Sequence, residues 1–194
     1  MSESSLPDIF VSALRDMTVW LGAEQVPHTA IGGIAVALIA QPRMTQDVDT
    51  VVWLEHARWK DFLQAGERYG FTPRLSDALE FAVTARVLLL RHESSGIHFD
   101  VSLGALPFEL EMIERAVIVK VSDFELKVPT PEDLIITKAV ARRPKDIIDI
   151  EAILSAHPHL DVHRVRFWVR EFAVALESPQ LSEVLETLLH RSAR

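Results

Sequence analysis

The sequence predicts a mixed α/β fold (α+β) up to about residue 128, followed by a helical C-terminal part. Short segments that are rich in valine or alternate in polarity, bounded by glycine, proline and turn residues, indicate strands. Segments with apolar residues at helical spacing lie between them, and after Pro129-Thr130-Pro131 the pattern is helical throughout. We therefore expect an α/β domain over residues 1–128 and a helical part over residues 129–194 that packs on it.

The composition is that of an ordinary globular protein. The chain has 194 residues, 48% hydrophobic and 25% charged, which excludes disordered, collagen-like and coiled-coil chains. It contains no cysteine, so disulfides and thiolate metal sites are excluded. The net charge of −8 argues against a protein that coats nucleic acid. No segment has the pattern of a signal peptide or a membrane span, so we expect a soluble, cytoplasmic protein without a membrane partner.

Breakers and periodicity predict the elements of the first half. A helix begins after Pro7, and its apolar residues form one stripe: Ile9, Phe10, Leu14, Met17 and Leu21. Gly32 and Gly33 separate a short strand from a short buried helix. The predicted strands cover residues 28–31 and 47–54, and the predicted helices cover residues 34–40 and 56–69.

Two hairpins are predicted for the second half. Strands 85–91 and 97–103 flank the loop 92–96, and strands 116–120 and 124–128 flank a second turn. A helix over residues 107–115 lies between the two hairpins. The C-terminal helices are predicted over residues 132–142, 145–157, 162–176 and 181–190.

Gly32-Gly33 and Asp47-x-Asp49 are the first candidates for chemistry. Glycines before a helix let a backbone approach a ligand, and the helix start offers N–H groups to an anion. The alternative is a tight strand-to-helix turn. Asp47 and Asp49 share one face of a strand, where two carboxylates repel each other unless a cation lies between them. Mg²⁺ is often held by one or two carboxylates and substrate phosphates, and the alternative is a solvated strand end.

Asp100 is the third acid of this set. The strand 97–103 places His98, Asp100 and Ser102 on one face, with apolar residues on the other. If this strand pairs beside strand 47–54, Asp100 faces Asp47 and Asp49. Three convergent carboxylates suit a two-metal site for in-line phosphoryl chemistry, and the alternative is a polar solvent face.

In combination these motifs resemble the nucleotidyltransferase superfamily, which has the fold of DNA polymerase β, and in particular the branch of the AbiEii-type toxins of toxin–antitoxin pairs. The resemblance covers residues 28–155. It is carried by Gly32-Gly33, then Arg43-x-Thr45-x-Asp47-x-Asp49 and Asp100, and by the segments 129–139 and 142–149.

The resemblance implies a mixed sheet with helices packed behind it and a metal-dependent enzyme that moves a nucleoside monophosphate from an NTP to an acceptor. The residues implied to bind the nucleotide are Gly32, Gly33, Arg43, Thr45 and Lys138. The residues implied to bind Mg²⁺ or Mn²⁺ are Asp47, Asp49 and Asp100, and Asp100 would also help to activate the acceptor hydroxyl. Further candidates are Lys145, Asp146 and Asp149.

Other interpretations of these residues and of the activity stay open. Lys138 on an apolar helix could extend its ammonium to water, Asp146 and Asp149 could favour a helix start, and Arg43 could pair with Asp47. The acceptor could be tRNA, a protein or a small molecule, and an antitoxin protein is a further candidate partner. The alternatives to a toxin-type enzyme are an antibiotic-type nucleotidyltransferase and a non-catalytic binding protein of the same fold.

Overall fold

The computed structural model describes residues 6–41 and 44–192, which divide into two compact units. The first unit comprises residues 6–35 and 44–129, and the second comprises residues 36–41 and 130–192. The predicted α/β class with helices at the C-terminus is confirmed. Residues 36–41, which lie within the predicted first domain, belong to the second unit, and the packing of the C-terminal part on the α/β domain stays a prediction.

Most predicted elements form within a few residues of their expected bounds. The strands are β1 (His28–Ile31), β2 (Asp47–Val52), β3 (Phe71–Pro73), β4 (Val87–His92), β5 (His98–Leu103), β6 (Val117–Val121) and β7 (Phe124–Val128). The helices are α1 (Asp8–Ala23), α2 (Gly32–Ile39), α3 (Trp59–Glu67), α4 (Ala78–Ala85), α5 (Pro107–Glu114), α6 (Pro131–Ala141), α7 (Pro144–Ala156), α8 (Val162–Ala175) and α9 (Gln180–Ser192).

The first unit is built on a five-stranded mixed sheet with the strand order β1-β2-β5-β4-β3. The β2–β5 pair is parallel and the other pairs are antiparallel. Alternate residues of β2, β4 and β5 are buried on one face, which forms the core: Val48, Thr50, Val52, Leu88, Leu90, Phe99, Val101 and Leu103. The opposite face of the same strands therefore carries the acidic residues.

Aromatic side chains join α1 and α3 to the buried face of this sheet. The ring of Trp20 stacks on Phe62 at a centroid distance of 4.4 Å and on Phe71 at 5.1 Å. Phe71 meets Phe99 edge to face at 4.9 Å, which is a favoured geometry for two aromatic rings. The predicted apolar stripe of α1 is buried except for its first residue, Ile9, which is 50% exposed.

The sequence did not indicate β3 and α4. β3 ends at Pro73 and has only three residues, so the strand is too short for a recognisable alternating pattern. α4 exposes the apolar residues Phe81 and Val83, so its pattern does not follow one buried stripe. The predicted β4–β5 and β6–β7 hairpins both form, with antiparallel registers.

The second unit is helical, and polar groups are paired inside it. The Nε atom of Arg164 on α8 lies 2.7 Å from Oδ1 of the fully buried Asp133 on α6. The hydroxyl of Thr130 accepts a hydrogen bond from the Asp133 N–H and caps α6. None of the helices in the described part of the chain has the length and apolar character that crossing a membrane requires.

Candidate functional site

Asp49 and Asp100 are register partners across the parallel β2–β5 ladder. Two residues earlier on each strand, and on the same face, Asp47 is the partner of His98. Neighbouring strands lie about 4.8 Å apart, so the acids of the two strands occupy one small area of the sheet. The prediction that strand 97–103 pairs beside strand 47–54 is confirmed, and with it the common face of the three aspartates.

Gly32 begins α2 beside the Asp49 carboxylate. Its φ of +68° lies in the left-handed region, which residues other than glycine adopt only with strain. A methyl group added at Gly32 would also overlap the carboxylate of Asp49. The strand-to-helix turn and the close approach therefore both require glycine here, and the group that approaches in this structure is the protein's own carboxylate.

Arg74 is the residue of this site that the sequence did not indicate. Its guanidinium forms an ion pair with Asp100, and Nη1 lies 3.2 Å from Nδ1 of His98. Arg74 comes 26 positions before Asp100 and directly follows β3, a strand that the sequence pattern did not predict. An arginine in a loop between two unpredicted elements gave no signal of its own.

Opposing influences act on the Asp100 carboxyl. Partial burial has the largest effect and raises its pKa above the ordinary value. The positive charge of Arg74 lowers the pKa, the negative charge of Asp47 raises it, and His98 lowers it, in decreasing order. The net pKa is raised, so this carboxyl accepts a proton more readily than an exposed aspartate does.

The donor atoms at this face suit a hard divalent cation. Within residues 6–41 and 44–192, no three histidine, aspartate or glutamate side chains are gathered into a complete metal-binding set. Asp47 is exposed, Asp49 is half-buried, and the Asp100 carboxylate is engaged by Arg74. Because Mg²⁺ usually needs only one or two protein carboxylates and takes its other ligands from phosphates and water, Asp47 and Asp49 fit such an ion.

Two predicted nucleotide contacts lie in the segment before β2. The Thr45 hydroxyl lies 3.0 Å from the main-chain oxygen of Asp47 and 3.2 Å from its Oδ1, so it helps to orient that side chain. Arg43 lies outside the described residues. The nucleotide contacts of Thr45, Arg43, Gly32 and Gly33 stay predictions.

The remaining candidates form a cluster in the second unit. The Lys138 ammonium lies 3.2 Å from Oδ1 of Asp146 and 2.8 Å from Oδ2 of Asp149, and the Lys138 side chain is only 5% exposed. Lys138 therefore does not extend to water, and that interpretation was wrong. Asp146 also accepts a hydrogen bond from the Arg143 main-chain N–H at 3.0 Å, which caps α7. Lys145 is exposed.

These contacts affect the Asp146 carboxyl in both directions. Burial pushes its pKa up, but hydrogen bonds from the Arg143 side chain and main chain, together with the charge of Lys138, lower the pKa below the ordinary value. The cluster thus has a clear structural function. Whether Lys138, Lys145, Asp146 and Asp149 also serve the nucleotide stays a prediction.

Comparison with known families decides the assignment. A sequence model of the nucleotidyl transferase AbiEii toxins of type IV toxin–antitoxin systems matches residues 31–190, which include every site candidate named above. The chain belongs to the AbiEii nucleotidyltransferase family. The activity of this AbiEii-family chain is therefore nucleotidyl transfer, and the resemblance expected from the sequence is confirmed. No curated protein matches the chain.

Solved structures show the same fold at low sequence identity. The antibiotic-resistance factor ANT(2″)-Ia is 12% identical with a TM-score of 0.62, over 96% of this chain and 100% of that one. The lincosamide antibiotic adenylyltransferase LnuA is 15% identical with a TM-score of 0.54, over 74% and 95%. A nucleotidyltransferase-like protein from Paracoccidioides brasiliensis is 15% identical with a TM-score of 0.53, over 95% and 94%.

Proposed function

We propose that this AbiEii-family chain is a metal-dependent enzyme that transfers a nucleoside monophosphate from an NTP to an acceptor hydroxyl at the face formed by Asp47, Asp49 and Asp100. The observation that carries the proposal is the pairing of Asp49 with Asp100 on adjacent parallel strands, beside the start of α2 at Gly32. Carboxylates and helix N–H groups are thereby placed together, which is the combination that a metal–triphosphate complex requires.

Each residue has a distinct task in this proposal. Asp47 and Asp49 hold the divalent ion, which supplies counter-charge to the triphosphate when it is bound. The first N–H groups of α2, at Gly32 and Gly33, hold phosphate oxygens. Asp100 accepts the proton of the acceptor hydroxyl. The oxygen of the acceptor hydroxyl then bonds to the α-phosphorus of the NTP. The bond from that phosphorus to the oxygen between the α- and β-phosphates breaks, and pyrophosphate leaves.

Label transfer tests this proposal directly. The protein is incubated with each of four α-labelled NTPs and Mg²⁺, with total tRNA, cell lysate or a panel of small hydroxyl compounds. We expect a label on one acceptor class that is lost in EDTA and in Asp49→Asn. A label that forms equally well with Asp49→Asn would place the reaction away from this face and overturn the proposal.

The acceptor class is the second part of the proposal. The family description favours the toxin of a toxin–antitoxin pair that acts in the cytoplasm, with tRNA or a protein as acceptor and an antitoxin as partner. A small-molecule acceptor is the second candidate, because ANT(2″)-Ia has been solved with an adenylylated tobramycin and LnuA with lincomycin. Growth arrest on expression of the wild type but not of Asp49→Asn supports the toxin, whereas a label only on an aminoglycoside or lincosamide supports the antibiotic-modifying enzyme.

A further inference from the structure

Arg74 connects two residues of the acidic face through one side chain. Its guanidinium pairs with Asp100 through Nη2 and lies 3.2 Å from Nδ1 of His98 through Nη1. His98 and Asp100 are alternate residues of β5 and point to the same side of the sheet. Because arginine has no acceptor atom, this contact is a hydrogen bond in the neutral tautomer of His98 whose Nδ1 accepts, and in that form it orients the imidazole as well as the carboxylate.

The main chain of Arg74 is held level with Asp100 in the sheet. Its N–H donates to the Leu89 carbonyl at 2.9 Å, and Leu89 is the register partner of Asp100 on β4. Asp100 in turn is the partner of Asp49 on β2. The Arg74 side chain thus reaches across one strand to Asp100, and its rigid planar fork fixes the relative positions of the two groups it contacts, which the single ammonium of a lysine does not do.

We propose that Arg74 is a positioning residue that holds the Asp100 carboxylate as an internal counter-ion and competes with a divalent cation for it. This inference rests on the proposed function, in which Asp100 belongs to the catalytic face. Asp47, Asp49 and Asp100 gather negative charge on one face, and Arg74 neutralises the member that must receive a proton. A cation that uses the Asp100 oxygens has to displace the guanidinium, so Arg74 lowers metal affinity while it keeps Asp100 in place for catalysis.

Arg91 provides a matched control for charge. It lies on β4, is exposed, and is the register partner of His98, so it occupies the same face of the sheet. Arg74→Gln and Arg91→Gln remove the same charge from the same surface, but only the first removes the pairing with Asp100. Arg74→Lys keeps the charge and removes the fork.

Mn²⁺ binding without nucleotide, measured by electron paramagnetic resonance, is combined with the initial rate of label transfer. For Arg74→Gln we expect Mn²⁺ binding at least about fivefold tighter than in the wild type and transfer at least about tenfold slower, while Arg91→Gln changes each by less than about twofold. Arg74→Lys should bind Mn²⁺ about as the wild type does and still transfer slowly. Melting in EDTA verifies folding, and Arg74→Lys keeps the test valid if the glutamine variant does not fold.

The opposite signs of the two effects separate this proposal from a structural role, which would lower both affinity and rate. Equal Mn²⁺ affinity in Arg74→Gln and Arg91→Gln, or normal transfer by both Arg74 variants, overturns the assignment of Arg74 while the proposed function stands. A wild type that neither binds Mn²⁺ nor transfers label overturns the proposed function, and the inference on Arg74 with it.

Discussion

The carboxylate of Asp49 lies against Gly32, at the point where β1 ends and α2 begins. The same aspartate is the partner of Asp100 across the parallel β2–β5 ladder. Asp49 therefore connects two features that the sequence indicated separately: the glycine turn, which its carboxylate contacts, and the pair of acidic strands, to which it belongs. This contact brings the start of a helix and two carboxylates to one place, which is where we propose that a metal–triphosphate complex binds.

Asp49→Asn should abolish nucleotidyl transfer without loss of the fold. Asparagine has the shape of aspartate, so the contact with Gly32 is kept while the charge that holds the cation is lost. In EDTA we expect a melting temperature within roughly 4 °C of the wild type, which corresponds to about 1 kcal/mol at this chain length. Mg²⁺ with NTP should raise the melting temperature of the wild type but not of the variant. Retained transfer together with a strongly lowered melting temperature would show that Asp49 is structural.

Gly32→Ala should destabilise the first unit. Alanine at a φ of +68° is strained, and its methyl group would meet the Asp49 carboxylate. We expect a loss of at least about 2 kcal/mol, or roughly 4–8 °C in melting temperature. Gly22→Ala in α1 is the control, since nothing lies within 4 Å of its added methyl group and alanine favours a helix. Equal melting of the two variants would refute the close approach at Gly32.

Lys138→Met should weaken the fold of the second unit. It would leave the buried carboxylates of Asp146 and Asp149 without their common cation, a change that typically costs about 3–5 kcal/mol. Urea unfolding measures the loss, and the double variant with Asp149→Asn should recover part of it. A Lys138→Met protein that unfolds like the wild type but binds NTP weakly would instead support the predicted contact of Lys138 with the nucleotide.

The lowered pKa of Asp146 predicts a pH dependence of stability. Its carboxylate stabilises the folded state above the unfolded pKa of about 4, and this contribution is lost as the pH falls through the lower folded pKa. The stability difference between the wild type and Asp146→Asn should therefore be largest near neutral pH and shrink in acid. Glu151→Gln, which removes an exposed carboxylate from α7, should change stability by less than about 1 kcal/mol. A difference that grows in acid would contradict the assignment.

Local signals were sufficient for much of this fold. β1 was predicted with its observed bounds because Pro27 and Gly32 delimit it, and the alternation around Asp100 gave the correct face of β5. The three aspartates could thus be placed together from the sequence, given the pairing of β2 with β5.

Long-range partners could not be predicted in this way. Arg74 reaches Asp100 only through the order of three strands, and Lys138 meets Asp149 only because α6 and α7 pack together. Neither relationship has a local pattern, since charged residues on a predicted helix or loop are normally solvated. The sequence therefore indicated the acidic face but neither its internal cation nor the buried position of Lys138.

Calorimetric titration of ATP, GTP, CTP and UTP into the wild type and Asp49→Asn, in Mg²⁺ and in EDTA, tests the central claim most directly because it needs no acceptor. We predict that at least one NTP binds the wild type in Mg²⁺, and that either EDTA or the Asp49→Asn change weakens this binding by about tenfold or more, equivalent to about 1.4 kcal/mol. Binding of equal strength in all conditions, or to none of the four NTPs, would contradict a metal-dependent nucleotide site at this face.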